Sequence, residues 1–194
     1  MPGSALEPFV RLDAVAMPLP RANVDTDQIL PARFLNRPRS DDFGEYLFRE
    51  LRADPAFVLN QDAYREARIV VAGRNFACGS SREHAVWALA DGGFRAAIAP
   101  SFGDIFATNA LKNGFLPVVL PAQAVEDILA ALARSPGMQL TVDLEQQVVI
   151  APGATHSFEI APFPKRCLME GLDEIAYTLG QSELISAFER QYEK

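Results

Sequence analysis

Cysteine is almost missing from this sequence: Cys78 and Cys167 are the only two in 194 residues. They lie far apart and form no C-x-x-C pair, so they give neither a disulfide framework nor a metal site, and a reducing compartment suits them. Histidine is equally scarce, with His84 and His156 alone. Positive charge is in deficit: 18 Lys and Arg stand against 25 Asp and Glu, a net charge of -7. That balance argues against nucleic acid or an anionic membrane as the main partner. No apolar run reaches the ~18 residues that a membrane helix needs. Residues 1–20 lack the basic start and unbroken apolar stretch of a secretory signal. These absences predict a soluble chain working in the cytoplasm.

What is present reads as one domain over residues 1–194. Apolar residues make up 49% and charged residues 22%, ordinary for a globular protein. From residue 68 onward, short apolar runs alternate with helical patterns. Strands are expected at 68–72, 94–99 and 115–120, with helices at 81–91, 104–113 and 123–134 between and after them. Strands separated by single helices predict a parallel sheet, and thus an α/β fold. An opening strand is expected at 9–17 and an antiparallel group at 140–144, 148–150 and 157–160. Closing helices are expected at 165–179 and 182–192. Between the first strand and residue 68, a short helix is expected at 45–52 and an extended piece at 57–59.

The chain is organised around residues 73–84, Gly-Arg-Asn-Phe-Ala-Cys-Gly-Ser-Ser-Arg-Glu-His. A buried strand precedes it and a helix follows, so the chain turns sharply here. Ser80-Ser81-Arg82-Glu83 has the form of a capping box, with Ser80 as N-cap and Glu83 reaching back to its amide. A helix N-terminus attracts anions, and Arg82 adds a planar fork for a carboxylate. The stretch is neither a G-x-S-x-G nucleophile elbow nor a G-x-x-x-x-G-K-[ST] phosphate loop. Asn23-Val24-Asp25-Thr26-Asp27 reads as a turn or cap. Residues 36–44 are polar, hold Pro38 and charges of both signs, and read as an exposed, mobile loop.

These segments carry a resemblance. Asn23-Val24-Asp25-Thr26-Asp27-Gln28-Ile29, Gly79-Ser80-Ser81-Arg82-Glu83-His84, and Ser101-Phe102-Gly103-Asp104-Ile105-Phe106 with Asn109 and Asn113-Gly114 resemble the family of 3-isopropylmalate dehydratase small subunits. That family shares the mobile C-terminal domain of the aconitase superfamily. The resemblance implies a swivelling β/β/α fold and a separate large subunit carrying a [4Fe–4S] cluster on three cysteines. It implies dehydration and rehydration of isopropylmalate in leucine biosynthesis. It casts Ser80 as the base and Arg82 as a binder of substrate carboxylate with Ser81 beside it. His84, one turn into the helix where a histidine usually faces its packing partner, reads as a structural hydrogen-bonder instead of a catalyst. Where the family has R-T-G-F-G, this chain has Ser40-Asp41-Asp42-Phe43-Gly44. Arg37 or Arg39 is then the candidate for the missing arginine, and Leu35 for contact with the substrate's alkyl group. Two alternatives stay open: the small subunit of an enzyme for another substituted malate (methylmalate or dimethylmalate), and a non-catalytic binding protein of this fold.

Overall fold

A computed structural model describes residues 6–39 and 43–192. Strand β1 (Arg11–Leu19) is the spine of the molecule. Its second half pairs in parallel with β2 (Ile69–Ala72), Ala16 facing Ile69 and Leu19 facing Ala72. Its first half pairs antiparallel with β5 (Gln139–Asp143), Arg11 facing Asp143. Strands β3 (Ala96–Ala99) and β4 (Leu116–Val119) extend the parallel side, and the hairpin β6 (Val148–Ala151) and β7 (Ala154–Ser157) extends the other. The result is one seven-stranded sheet in the order β4-β3-β2-β1-β5-β6-β7. The expected fold class, parallel strands with crossover helices beside a small antiparallel group, is what forms.

The inner parallel strands β2 and β3 are buried on both faces because helices cover both. Met17, Leu19, Val70, Ala72, Ala97 and Ala99 face a core with α2 (Glu83–Asp91) and α3 (Asp104–Lys112). Ala16, Ile69, Val71, Ala96 and Ile98 face Val125, Ile128 and Leu132 of α4 (Ala122–Arg134). This is why Ile69-Val70-Val71-Ala72 reads as a continuous apolar run instead of alternating.

Several expected elements differ. The helix expected at 45–52 is a pair of tight 3-10 turns, Phe43–Tyr46 and Leu51–Ala53. Phe48 lies between them at φ 51°, fully buried, its amide donating to Ile29 O at 2.8 Å. Its ring packs edge-on to Phe57, 5.8 Å between centroids. Burial of that ring outweighs local helix preference, which is worth only tenths of a kcal/mol per residue, up to about 0.7. The expected extended piece at 57–59 likewise curls into a turn at Val58–Asn60. The last strand comes three residues early, because the turn at Gly153 (φ 82°) closes directly after β6. The closing helix splits into α5 (Pro162–Glu170) and α6 (Glu174–Leu179) at Gly171, in the left-handed region at φ 67°. Asp173 caps α6 through the Ala176 amide at 2.6 Å. The final helix, α7 (Ser182–Tyr192), forms as expected.

Candidate functional site

Parallel strands release their loops at one edge, and ligand sites of open α/β sheets form there. Three loops leave the C-terminal ends of β1, β2 and β3 and knit together. Asn23 N–H donates to Arg74 O at 2.9 Å, and Phe76 N–H to Ser101 O at 3.0 Å. Asn75 reaches both ways, its side-chain amide to Asn23 Oδ1 and its backbone N–H to Ser101 Oγ, each at 2.9 Å. Asn23, Asn75 and Ala77 all adopt left-handed φ angles of 56–59°. Asn tolerates this region well, but alanine is strained there by about 1–2 kcal/mol, and the knit of bonds holds it.

The Asp-Thr-Asp segment is part of the same construction. Asp25 caps the short helix α1 (Thr26–Ile29), accepting from Gln28 N at 2.8 Å. Thr26 donates through its backbone to Cys78 O at 2.9 Å and through Oγ1 to Ser80 O at 3.3 Å. Asp27 forms an ion pair with Arg82, whose side chain is 16% exposed. The turn-and-cap reading of this segment is correct but incomplete, since two of its residues hold the Ser80–Arg82 loop. Each carboxylate is engaged, Asp25 in the cap and Asp27 with Arg82. Among the described residues, no group of three or more His, Cys, Asp or Glu is placed to hold a metal.

The capping box does not form. Helix α2 starts at Glu83, with Arg82 as N-cap and no side-chain cap bond. Ser80 and Ser81 lie before the helix, both exposed. Glu83 turns outward to α3, accepting from Asn113 Nδ2 at 2.8 Å. Asn113 Oδ1 in turn accepts from Trp87 Nε1 at 3.0 Å. A tertiary bond to a neighbouring helix has displaced the local one, and nothing in the S-x-x-E spacing distinguishes the two. His84 rests against Trp87, ring centroids 4.6 Å apart, and 6.3 Å from Phe43. It serves as a packed ring, and among the described residues its side chain makes no hydrogen bond.

Ser80 opens onto a cleft of about 330 Å³. One wall is Asn75, Ala77, Cys78 and Gly79; the other is Gly103 and the first turn of α3. That turn has no side-chain cap, so its first amides carry partial positive charge, which the Asp104 carboxylate in the same turn and cleft lining opposes. Gly103 touches the opposite wall: a Cβ there would lie 2.5 Å from Ala77 O. Gly103→Ala should therefore push α3 off the loop, lowering stability by about 1–3 kcal/mol. A thermal melt of the variant, showing an unchanged midpoint, would refute this contact. A second hollow of about 320 Å³ lies between α3 and α5, lined by Leu111, Phe163, Pro164, Cys167 and Leu172. It is mainly apolar, and its Lys112 is paired with Glu174 at 3.2 Å.

The loop residues singled out from sequence are dispersed. Leu35 is half-buried against the α2–α3 core. Arg37 is exposed, with no side-chain partner among the described residues. Arg39 is held at the far end of α2, donating to Asp91 from Nε at 3.0 Å and Nη2 at 2.7 Å, and lies over the Trp87 ring at 5.3 Å. Asp91 ends the helix that Arg82 begins, so this clasp keeps Arg39 away from Ser80. Ser40, Asp41 and Asp42, in the segment expected to be mobile, lie outside the described residues. Thr26, Asp27, Asn75 and Asn113 are the site-building residues that sequence reasoning left unassigned. Their signal was present in the Asp-Thr-Asp cluster and in asparagines beside glycine-bearing turns.

Comparison with known proteins agrees with this geometry. The aconitase C-terminal domain family matches residues 6–123, and a family described as LeuD_N matches residues 126–162. The 3-isopropylmalate dehydratase small subunit of Roseobacter denitrificans is 49% identical over 192 residues, covering 95% of this chain and 96% of its own. That of Frankia alni is 51% identical over 184 residues, covering 95% and 94%. The crystal structure of a 3-isopropylmalate dehydratase from Methanocaldococcus jannaschii superimposes with a TM-score of 0.70 at 26% identity, covering 93% of this chain and 99% of that one. With the sheet order, the loop knit and these likenesses together, the chain belongs to the aconitase C-terminal domain family, among its 3-isopropylmalate dehydratase small subunits.

Proposed function

We propose that this chain is the small subunit of a 3-isopropylmalate dehydratase, a cytoplasmic hydro-lyase that interconverts 2- and 3-isopropylmalate through isopropylmaleate in leucine biosynthesis. The observation that carries the reading is the Ser80–Arg82 loop, held open on a cleft at the sheet's C-terminal edge by the Asp-Thr-Asp segment. Ser80 Oγ takes the proton from one carbon while the hydroxyl leaves the adjacent carbon; rehydration in the opposite sense moves the hydroxyl. A serine base needs its alkoxide stabilised. The neighbouring Arg82 guanidinium supplies positive charge for that; the uncapped first turns of α2 and α3 add partial charge that their own Glu83 and Asp104 carboxylates oppose. Arg82 binds a substrate carboxylate with the donors that Asp27 leaves open, and Ser81 lies beside it.

The residues of this chain do not fit an iron–sulfur cluster. Cys78 lines the cleft while Cys167 is buried on α5, and both are free thiols. A cluster belongs to the large subunit, which makes that subunit the required partner. Leu35 is the contact proposed for the substrate's alkyl group, and Arg37 is the loop arginine with no competing partner among the described residues. The altered loop, Ser40-Asp41-Asp42 before Phe43-Gly44, favours one further reading: a preference for another substituted malate.

The test is reconstitution with a cluster-loaded large subunit, following absorbance of the unsaturated intermediate over a panel of isopropyl-, methyl- and dimethylmalates. No turnover of any of them would refute the proposal. In the same assay, Arg82→Lys should raise KM by about 10–150-fold, because lysine keeps the charge but loses the paired hydrogen bonds. A KM within a factor of about two of wild type would remove Arg82 from the substrate site.

A further inference from the structure

We infer that Thr26 is a positioning residue for the reaction, acting through the backbone of Ser80; the inference rests on the assignment of Ser80 as base. Thr26 is 2% exposed; among the described residues, it and Asp143 are the polar or charged residues buried in the core. A buried hydroxyl has to be hydrogen-bonded to be tolerated. Its partner is the carbonyl of Ser80, 54 residues away in sequence. The same residue's backbone N–H bonds the carbonyl of Cys78, so Thr26 grips the loop on both sides of Gly79.

The geometry of Gly79 explains why such a grip matters. Gly79 sits at φ +92°, a conformation that side-chain-bearing residues rarely adopt and that glycine leaves easily. Its nearest neighbours at the Cβ position are Asp25 Cβ at 3.6 Å and Thr26 Oγ1 at 3.9 Å, so α1 is the floor beneath it. Cys78 N–H returns a bond to Val24 O at 3.3 Å, completing a two-way stitch before the glycine. After the glycine, the Thr26 hydroxyl donates to the Ser80 carbonyl. Ser80 itself is exposed and makes no cap bond, so the Thr26 contact acts on the backbone from which its Oγ projects. Thr26 and Asp27, consecutive on α1, thereby divide the loop. Thr26 sets the backbone of Ser80, and Asp27 sets the side chain of Arg82.

The prediction is a split between kinetic constants. Thr26→Val keeps shape and burial but deletes the donor. In the complex with the large subunit, its kcat should fall about 10–100-fold, since misplacing a reacting group by about 1 Å costs this much. KM should stay within about threefold, because Arg82 and Asp27 are untouched. Thr26→Ser restores the hydroxyl and should recover kcat to within about threefold of wild type. In a Ser80→Ala background, Thr26→Val should add no further loss, as residues acting as one unit are not additive. Hydrogen exchange on the isolated chain gives an independent readout: residues 73–82 should exchange faster in Thr26→Val than in Thr26→Ser. An unchanged kcat in Thr26→Val beside a crippled Ser80→Ala overturns this inference alone. Full activity of Ser80→Ala overturns the base assignment, and with it the action of Thr26 through Ser80. A loss in the serine variant as large as in the valine variant shows that restoring the hydroxyl does not restore function and overturns the inference as well.

Discussion

Ser80→Ala should lower turnover of the reconstituted enzyme by about 10²–10⁴, the usual worth of a positioned acid–base group. Fold and partner binding should survive intact. Ser80 is exposed, lies before the Arg82 N-cap and caps nothing, so its Oγ contributes little to stability. The expected change in unfolding free energy is that of a surface substitution, within about 0.5 kcal/mol. An N-cap serine would instead have cost about 1 kcal/mol on the same substitution. A melt therefore also separates the observed loop from the capping box that the sequence suggests. KM should change little, because the carboxylate contact stays with Arg82, and a loss confined to kcat marks an interaction made in the transition state. Near-normal turnover in an intact complex would place the base elsewhere.

The legible part of the structure was the part governed by local pattern. Ile69-Val70-Val71-Ala72 and its parallel neighbours were found because burial on both faces leaves an unbroken apolar run. Helix α4 was found because Val125, Ile128 and Leu132 repeat at helical spacing and all face the sheet. The site stretch was legible through its composition: two serines, an arginine and glycines at a strand-to-helix turn. Illegible features depended on distant partners. Glu83 bonds Asn113 on another helix, Phe48 buries against Phe57 instead of continuing a helix, and Arg39 clasps Asp91. In each case a tertiary contact outweighed a local preference of similar or smaller size, and spacing in the chain carries no record of it. The same holds for Thr26 and Asp27. Their sequence reads as a cap, which Asp25 alone fulfils, leaving the two following residues to reach across to the loop.

The isolated chain should show no dehydratase turnover and hold no stoichiometric iron, and the large subunit should restore activity in full. The expectation follows from what the two thiols can do. Cys167 is buried on α5 against the apolar hollow beside α3, and burial pushes its thiol pKa up, away from the thiolate that ligates metal. Cys78 is half-buried in the cleft wall, its backbone fixed on both sides by α1 and Val24. A cluster on three cysteines would need both of them and one more. The cleft itself points the same way. Ser80 is exposed, whereas a serine alkoxide and a carbanion-like intermediate both require exclusion of water. A partner surface that closes the cleft would supply that exclusion together with the leaving-group chemistry. Titrating the chain into a fixed amount of cluster-loaded large subunit should give activity that saturates at equal stoichiometry. Replacing Cys78 and Cys167 together by serine should leave the saturated rate within about threefold of wild type, since neither thiol takes part. Iron and sulfide in stoichiometric amount in the purified, reconstituted chain, or turnover without the partner, would mean that this chain carries the cluster site itself and that the division of labour between subunits is wrong.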